Sequence, residues 1–500
     1  MIEKIKNNLL GPMRFKLLNN NKYLITNEVG EFLFLTPSEF QRLREGKITK
    51  SEPLYFKLKK KNFLAQELNL ENYSKKIFKK KKSIFFGPSL HILVTTLRCN
   101  HKCVYCQASS ASIKKVSLDM NLATAKQIVD FIFGVPNKFV AIEFQGGEPL
   151  INWSVVKFVA EYVKEKNKYE KKHLELRLVS NFSLMTERIL NYCFENNISL
   201  CTSLDGPEKV HNENRRFIGG NSYSLTIKWL KKALRKYALL EKKKKEKKYW
   251  YQPGALVTVT KFSLGYPKEI VNEYLKLGLE SIFLRPLTPI GMAAKNWNNI
   301  GYSPEEFLEF YKKALNYIIE INLKRKKKIY ERMASILLAK ILTEEDPNFL
   351  DIRSPCGAVI GQLAYDYNGD IYPCDEARMI GRLGDPIFKL GNVFKNDYSS
   401  IIDSPIAKSL CLASEITSLP KCSDCVYACY CGVCPVYNYA IEGNIFAKIP
   451  YTARCKIFTG IFDTLFEYLS SPSNKEIKKL FEDWAKKEMK KEKILAEQSF

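Results

Sequence analysis

The sequence predicts an α/β protein built on parallel strands, with a small α+β unit before them and a cysteine-rich extension after them. Three observations carry this. From residue 90 to about 289, six short apolar runs alternate with amphipathic helical patterns, the mark of repeated βαβ units. Apolar residues make up 46% of the 500 and charged ones 26%, ordinary globular values. Eleven of the 14 cysteines fall into three groups, which scattered core thiols would not do.

Composition also removes several classes. No run of about 18 apolar residues occurs, so nothing is expected to span a membrane. Residues 1–12 hold no apolar stretch long enough for a signal peptide, which predicts the cytoplasm, where a disulfide framework is not expected. The 79 Lys and Arg against 53 Asp and Glu, a net +26, keep nucleic acid or a membrane surface open as a partner.

Residues 1–85 read as a separate unit. Lys22–Thr26 and Glu31–Leu35 flank Asn27-Glu28-Val29-Gly30 as a hairpin, and Thr36-Pro37-Ser38 starts a short helix. Lys75–Lys82 reads as a solvated linker. Within 86–300, strands are expected near 90–96, 139–145, 174–180, 198–204, 254–260 and 280–285. Helices are expected near 121–133, 153–165, 186–195, 223–239 and 267–277. Such units imply a parallel α/β barrel or a doubly wound sheet, with functional groups at the carboxyl ends of the strands in either case. Residues 301–350 form a helical bridge with helices near 304–322 and 329–342. Residues 351–460, rich in Gly and Cys and weak in periodicity, are expected to need metal to hold them together. Residues 461–500 form an amphipathic helix with the stripe Ile477, Leu480, Phe481 and Trp484, ending in a basic tail.

The first cysteine group, Cys99-x3-Cys103-x2-Cys106, directly follows the first strand. Three thiolates in an eight-residue loop reach three corners of a [4Fe–4S] cube and leave its fourth iron open. The competing reading is a zinc knuckle with His101 as fourth ligand, but zinc knuckles usually pair C-x2-C units. Gln145-Gly146-Gly147-Glu148-Pro149 ends the second strand, Ser180-Asn181 the third, and Ser203-Leu204-Asp205-Gly206-Pro207 the fourth. Taken alone the glycine segment is a turn, Asp205 reads equally as a helix cap, and Arg215 equally as a member of a surface salt bridge. His211 follows in the same loop, and Arg285 ends the sixth strand.

The triplet, its position and these strand ends resemble the radical S-adenosylmethionine (radical SAM) superfamily. The resemblance implies a partial (β/α)6 barrel and an enzyme that reductively cleaves S-adenosylmethionine, the 5′-deoxyadenosyl radical then taking hydrogen from substrate. It implies Cys99, Cys103 and Cys106 as cluster ligands, with Tyr105 beside the adenine. It places Gln145, Gly146, Gly147, Glu148 and Pro149 at the amino group, and Ser180, Asn181, Ser203, Asp205 and Arg215 at the ribose and carboxylate.

Cys356-x12-Gly369-x4-Cys374, then Cys422-x2-Cys425-x5-Cys431-x2-Cys434 and Cys455, resemble the SPASM extension of radical SAM peptide maturases. That likeness implies two auxiliary [4Fe–4S] clusters, one on Cys356, Cys374 and Cys434, the other on Cys422, Cys425, Cys431 and Cys455. The last gap is two residues instead of the family's three. The extra Cys429 is either the fourth ligand of the first auxiliary cluster or leaves that cluster an open iron; zinc is the competing reading for the C-x2-C pairs. Cys193, Cys201 and Cys411 fit no pattern and read as core thiols.

Cys99–Ser109, Cys374–Met379 and Tyr430–Pro435 look most like the His-Xaa-Ser system maturase of the B type. That implies an oxidoreductase acting after translation on a ribosomally made partner with His-Xaa-Ser repeats, beside a second radical SAM maturase and an external electron donor. The alternatives are a formylglycine-generating anaerobic sulfatase maturase and an RNA-modifying radical SAM enzyme. The amino-terminal unit reads as a peptide-recognition module, by strand addition, or as a cap on the barrel. Segments 75–82, 241–248, 324–328 and 475–493 hold 25 Lys and Arg against 7 acidic residues and supply 18 of the net +26. They lie outside every chemical motif, which disfavours nucleic acid as the partner.

Overall fold

A computed structural model describes residues 10–106, 108–242, 251–324 and 328–496, excepting the side chains of 491–496. Gln107 and the basic stretches 243–248, 325–327 and 491–493 of the sequence argument lie outside the described residues or side chains.

Six parallel strands form the centre: β1 Leu90–Thr96, β2 Phe139–Gly146, β3 His173–Val179, β4 Ile198–Ser203, β5 Gly254–Val259 and β6 Leu284–Pro286. They lie side by side in chain order, in parallel register from Leu90 opposite Ala141 to Val257 opposite Leu284. This order decides between the two architectures, because a doubly wound sheet reverses at a switch point and this one does not. The helices Leu122–Phe133, Trp153–Glu170, Glu187–Glu195, Ser222–Lys242 and Pro267–Lys276 fill the crossovers. Each buries an apolar stripe, such as Ile128, Val129 and Ile132.

Three more strands extend the sheet beyond β1: β7 Gln362–Tyr365, β8 Asp370–Tyr372 and β9 Gly391–Asn392. β7 pairs in parallel with β1, Gln362 opposite Leu90, while β8 and β9 are antiparallel additions. The expectation of a carboxy-terminal region poor in regular structure is corrected here. Residues 354–456 also hold the helices Asp375–Arg382, Pro405–Leu412 and Pro435–Glu442. Strands of two to four residues leave no periodicity to read. One apolar core joins both halves, running from Ile128 and Val156 through Tyr365 to Tyr427, Phe462 and Phe481. Each such fully buried large side chain contributes about 1.5–3 kcal/mol.

The amino-terminal unit is a three-stranded antiparallel sheet, Met13–Leu17, Tyr23–Asn27 and Phe32–Leu35, followed by helices Pro37–Arg44, Pro53–Lys60 and Leu70–Lys81. Thr36 and Glu39 close a capping box at the first helix. The unit has its own core around Phe40, Leu43, Leu54 and Leu58. It does not cap the barrel through its sheet. That sheet docks on the cysteine-rich region: Thr26 donates to the Val426 carbonyl, Tyr430 to the Gly30 carbonyl, and Phe32 packs on Phe466.

Lys75–Lys81 is helical and no linker. Lys76 pairs with Glu31, Lys79 with Glu344 and Lys82 with Glu345, while Lys80 donates to the carbonyls of Lys340 and Thr343. The carboxy-terminal helix Lys475–Ala496 buries Phe481 and Trp484 and lies against the helix Arg332–Leu342, where Ser335 donates to the Trp484 carbonyl. No helix among the described residues is long and apolar enough to cross a membrane.

Candidate functional site

The triplet loop leaves β1 at its carboxyl end. Two glycines make its seat. An added Cβ at Gly146, whose φ is +148°, would stand 2.2 Å from the Thr96 carbonyl oxygen, and one at Gly147 would stand 2.2 Å from that of Arg98. The turn therefore lies flat on the residues that lead into Cys99. Gly147 and Glu148 stitch it there, their N–H groups donating to Thr96 and Arg98 at 2.8 Å each.

Glu148 is fully buried. Its carboxylate accepts from Ser180 Oγ at 2.7 Å and from the N–H groups of Asn181 at 2.8 Å and Leu150 at 3.0 Å, so it joins the ends of β2 and β3. Burial raises its pKa to about 7 despite these donors. Asn181 reaches back to the triplet, donating to Asn100 Oδ1 at 3.1 Å with Cys99 Sγ at 4.0 Å. Gln145 bonds to Glu143, and Ser203 is half-buried at the end of β4.

The loop after β4 clamps the triplet from the other side. Arg215–Phe217 pairs antiparallel with His101–Cys103, and Val104 N–H donates to the Asn214 carbonyl. Asp205 is neither a helix cap nor part of a surface pair; the N-cap of the following helix is Pro207. Its buried carboxylate accepts from Tyr105 Oη at 2.6 Å and from Arg215 Nε at 3.2 Å, and the guanidinium lies 5.4 Å from the Tyr105 ring centroid. Burying both partners makes this a pair that is costly to break from one side.

His101 is unavailable as a zinc ligand. Its ring stacks on Phe217 at 4.6 Å, Nδ1 meets Asn100 Oδ1 at 3.1 Å, and Nε2 meets Ser222 Oγ at 2.9 Å. Ser222 Oγ also meets His211 Nε2 at 3.0 Å, and His211 Nδ1 accepts from Asp205 N–H. That acceptor role puts the His211 proton on Nε2, so Ser222 accepts it and donates onward to His101. Burial holds both histidines neutral, with pKa values near 3.

Every sulfur of the triplet has an N–H donor close by: His101 N–H at 3.4 Å from Cys99, Arg215 Nη1 at 3.8 Å from Cys103, and Ser110 N–H at 3.5 Å from Cys106. Burial meanwhile pushes the Cys103 thiol up to about 12. Thiolates placed here need both the donors and a cationic partner, and iron supplies the latter. Among the described residues, no three His, Cys, Asp or Glu side chains converge as the ligands of one metal ion. Three thiols with an N–H donor at each sulfur suit the three protein-held corners of an iron–sulfur cube, and His101 is not free to complete a zinc site.

The carboxy-terminal cysteines separate into two neighbourhoods. After burial, Cys434 raises the pKa of Cys356, and Cys434 and Cys356 raise that of Cys374; Cys455 raises that of Cys425, and Cys455 and Cys425 raise those of Cys422 and Cys431. Cys429 has Lys80 and Arg14 of the amino-terminal unit as its charged neighbours, with Tyr430 beside it, and Arg14 is also a neighbour of Cys425. Of the core thiols, Cys193 is buried, whereas Cys201 and Cys411 are only partly so. Arg285 pairs with Asp351 at 3.0 Å. Sequence reasoning missed two arginines. Arg378 is 1% exposed and lies among Asp375, Asp366 and Cys106; Arg454 lies among Cys434, Cys431 and Cys356. Arg454 adjoins Cys455 in the sequence and Arg378 follows Cys374 by four residues, one helical turn, which is the signal each offers.

Residues 93–239 match the radical SAM superfamily, and residues 356–426 match SPASM, an iron–sulfur cluster-binding domain. An uncharacterized protein of Methanocaldococcus jannaschii is 30% identical over 241 residues, 47% of this chain and 75% of that protein. The cysteine-type anaerobic sulfatase-maturating enzyme of Clostridium perfringens is 24% identical over 300 residues, 58% of this chain and 75% of the enzyme. The structure of native anSMEcpe with bound AdoMet and Cp18Cys peptide superposes with a TM-score of 0.61 at 19% identity, covering 76% of this chain and 99% of that one, a likeness of fold.

Proposed function

This chain belongs to the radical SAM superfamily and carries a SPASM iron–sulfur domain, and from that premise we propose that it oxidatively modifies a ribosomally made peptide or protein. Its cofactors are a [4Fe–4S] cluster with an open iron, S-adenosylmethionine and auxiliary [4Fe–4S] clusters. When bound, they supply one-electron chemistry: cleavage of S-adenosylmethionine to a radical that takes hydrogen from substrate.

The chain's own residues do the holding. Cys99, Cys103 and Cys106 ligate the first cluster, and the N–H donors around their sulfurs stabilise thiolates. The turn Gln145–Pro149 receives the amino group of S-adenosylmethionine, with Glu148 as its carboxylate. Ser180, Asn181, Ser203, Asp205 and Arg215 face the ribose and carboxylate, and Tyr105, beside the adenine, donates to Asp205. Cys356, Cys374 and Cys434 hold one auxiliary cluster; Cys422, Cys425, Cys431 and Cys455 hold the other.

One observation carries this reading: the strand that delivers Cys99 is hydrogen-bonded to β7, and β7 to β8, which leads into Cys374, so one sheet carries both cysteine sets. The preferred substrate is a polypeptide with His-Xaa-Ser repeats, modified beside a second maturase and with an external electron donor. The sheet of the amino-terminal unit, with Phe32–Leu35 as an edge strand, suits capture of an extended leader by strand addition. Fourteen free thiols suit the reducing cytoplasm. The second reading, oxidation of a Cys or Ser to formylglycine, draws on the similarity to the C. perfringens maturase.

Two measurements test the proposal. Reduced, reconstituted protein releases 5′-deoxyadenosine from S-adenosylmethionine, and Cys103→Ala abolishes the release; undiminished release in that variant refutes the assignment. Mass spectrometry of a co-expressed His-Xaa-Ser polypeptide shows a loss of about two hydrogens per modification, as hydrogen abstraction followed by oxidation requires. Modification of a sulfatase peptide alone selects the second reading. RNA binding that weakens steeply with salt, without peptide binding, rejects both.

A further inference from the structure

Arg454 stands where the two auxiliary cysteine neighbourhoods meet. It lies in the first turn of the helix Ala453–Ser470, beside Cys455. Its Nη2 donates to the Asp351 carbonyl at 2.7 Å, and its guanidinium lies 4.7 Å from the ring centroid of Phe458. The carbonyl one residue earlier, that of Leu350, is 3.8 Å from Cys356 Sγ. Gly432, beside Cys431, packs so closely on the same turn that an added Cβ would come within 2.6 Å of the Ile352 and Arg353 backbones. The turn 350–353 is thus wedged between Cys356 on one side and Cys431 on the other, and Arg454 is fastened to it.

The guanidinium faces thiols of both sets. Cys434 and Cys356 of the first, and Cys431 of the second, are among its charged neighbours. Its Nε is buried and has no hydrogen-bond partner. The other basic residues named beside these cysteines each reach one set: Arg14 and Lys16 the second, Arg353 the first.

We propose that Arg454 is a counter-ion shared by the two auxiliary clusters, so that one buried charge raises both reduction potentials together. This rests on the reading that both cysteine sets hold clusters. The physical reason is simple. Each reduction adds one negative charge to a cluster, and a cation held in a poorly polarisable interior favours the reduced form of every cluster it faces. A cation that shifts both potentials equally leaves the driving force for an electron passing between the two clusters unchanged.

The test uses reconstituted holoenzyme with Arg454→Gln, which keeps N–H donors without charge, and Arg454→Lys, which keeps the charge. Iron and sulfide are counted first, and the clusters are then titrated potentiometrically with EPR detection. At fixed potential, Arg454→Gln lowers the ratio of reduced to oxidised cluster about tenfold at both auxiliary sites, a shift of about 59 mV for a one-electron couple. The first cluster is unmoved, and Arg454→Lys recovers most of the change. A shift at one auxiliary cluster only, or at neither, overturns the proposal. If Arg454→Gln fails to load an auxiliary cluster, loading by Arg454→Lys supports it, and failure of both variants overturns it in favour of a purely structural role. Wild-type protein with too little iron for two auxiliary clusters refutes the parent reading, a result the iron count separates from the others.

Discussion

Replacing Gly147 by Ala tests whether the glycine turn is the seat of the triplet loop. The added Cβ stands 2.2 Å from the Arg98 carbonyl oxygen and 2.6 Å from that of Leu97, both backbone atoms that cannot swing aside. Reaching even a 3.0 Å contact with the Arg98 oxygen requires a displacement of about 0.8 Å. The bonds from Gly147 N–H to Thr96 and from Glu148 N–H to Arg98, now 2.8 Å, would stretch past hydrogen-bonding distance. Losing two such bonds in a buried turn costs about 3 kcal/mol, or roughly a hundredfold in the local opening equilibrium. Amide hydrogen exchange on the reconstituted enzyme reads this directly. The amides of residues 147 and 148 should lose about two decades of protection, and residues 98–106 should follow with a lower iron content. Gly265→Ala, with nothing within 4 Å of its added Cβ, is the control and should exchange like wild type. Wild-type protection at 147 and 148 in Gly147→Ala would refute the reasoning, because the backbone would then have room that the geometry denies.

Other outcomes follow from the same contacts. Cys429→Ala should leave iron and sulfide content unchanged, whereas Cys434→Ala should lose one auxiliary cluster, about four irons per chain; loss of iron in the first variant would place Cys429 in the ligand set. Ser222→Ala leaves the facing nitrogens of His101 and His211 without a partner. It should cost about 2 kcal/mol by calorimetry and be rescued by Ser222→Thr; an unchanged melting temperature would dismiss the chain of bonds. His91 is buried on β1 against Tyr365 Oη at 3.0 Å, and burial lowers its pKa from 6.5 to about 3. The folded state therefore binds fewer protons than the unfolded state between these values, and the contribution to stability is complete above pH 6.5 and lost as pH falls. Cluster-free His91→Gln should lose about 1.4 kcal/mol less per pH unit than wild type between pH 6 and 4, measured by denaturant unfolding; parallel pH profiles would contradict this.

What the chain discloses in its sequence depends on whether the cause is local. β1 and β2 hold runs such as Leu93-Val94 and Val140-Ala141-Ile142, buried on both faces, while β4 and β5 alternate buried and half-buried residues, and both patterns are legible without partners. The triplet is legible because three thiols at fixed spacing have few uses. The helix Leu70–Lys81 is hidden by its own charge: six lysines between 75 and 82 resemble a solvated linker until Glu31, Glu344 and Glu345 arrive from elsewhere in the fold. Asp205 carries a local cap signal, but its partners are Tyr105, one hundred residues away, and Arg215 across the loop. Cys429 shows the limit of spacing. Two residues from Cys431 along a chain of tight turns, Tyr427–Cys431, it has Lys80 and Arg14 of the amino-terminal unit as its charged neighbours, which spacing alone does not show.

The helix Asp375–Arg382 explains how two iron–sulfur sites from distant parts of the chain are held in one arrangement. Its N-cap is Cys374, whose sulfur accepts from the Ala377 N–H, so a thiol of the first auxiliary set is fixed by the helix start. One turn on, Arg378 is held by Asp375 at 2.8 Å, buried, and has Cys106 of the triplet among its charged neighbours. The helix follows β8, which pairs with β7, which pairs with β1, and β1 ends in the loop of Cys99. A one-residue slip of β7 against β1 would exchange Leu363 and Tyr365 for Gln362 and Ala364 on each of its two buried faces, so the register is fixed by packing. Cys374 is therefore placed by sheet register and the start of this helix, and Arg378, one turn on, comes within charge range of Cys106 in the triplet loop. Electron exchange depends on a constant separation of its centres. A site carried on rigid elements provides it, and this accounts for a SPASM region that continues the barrel's sheet instead of hanging from it on a linker.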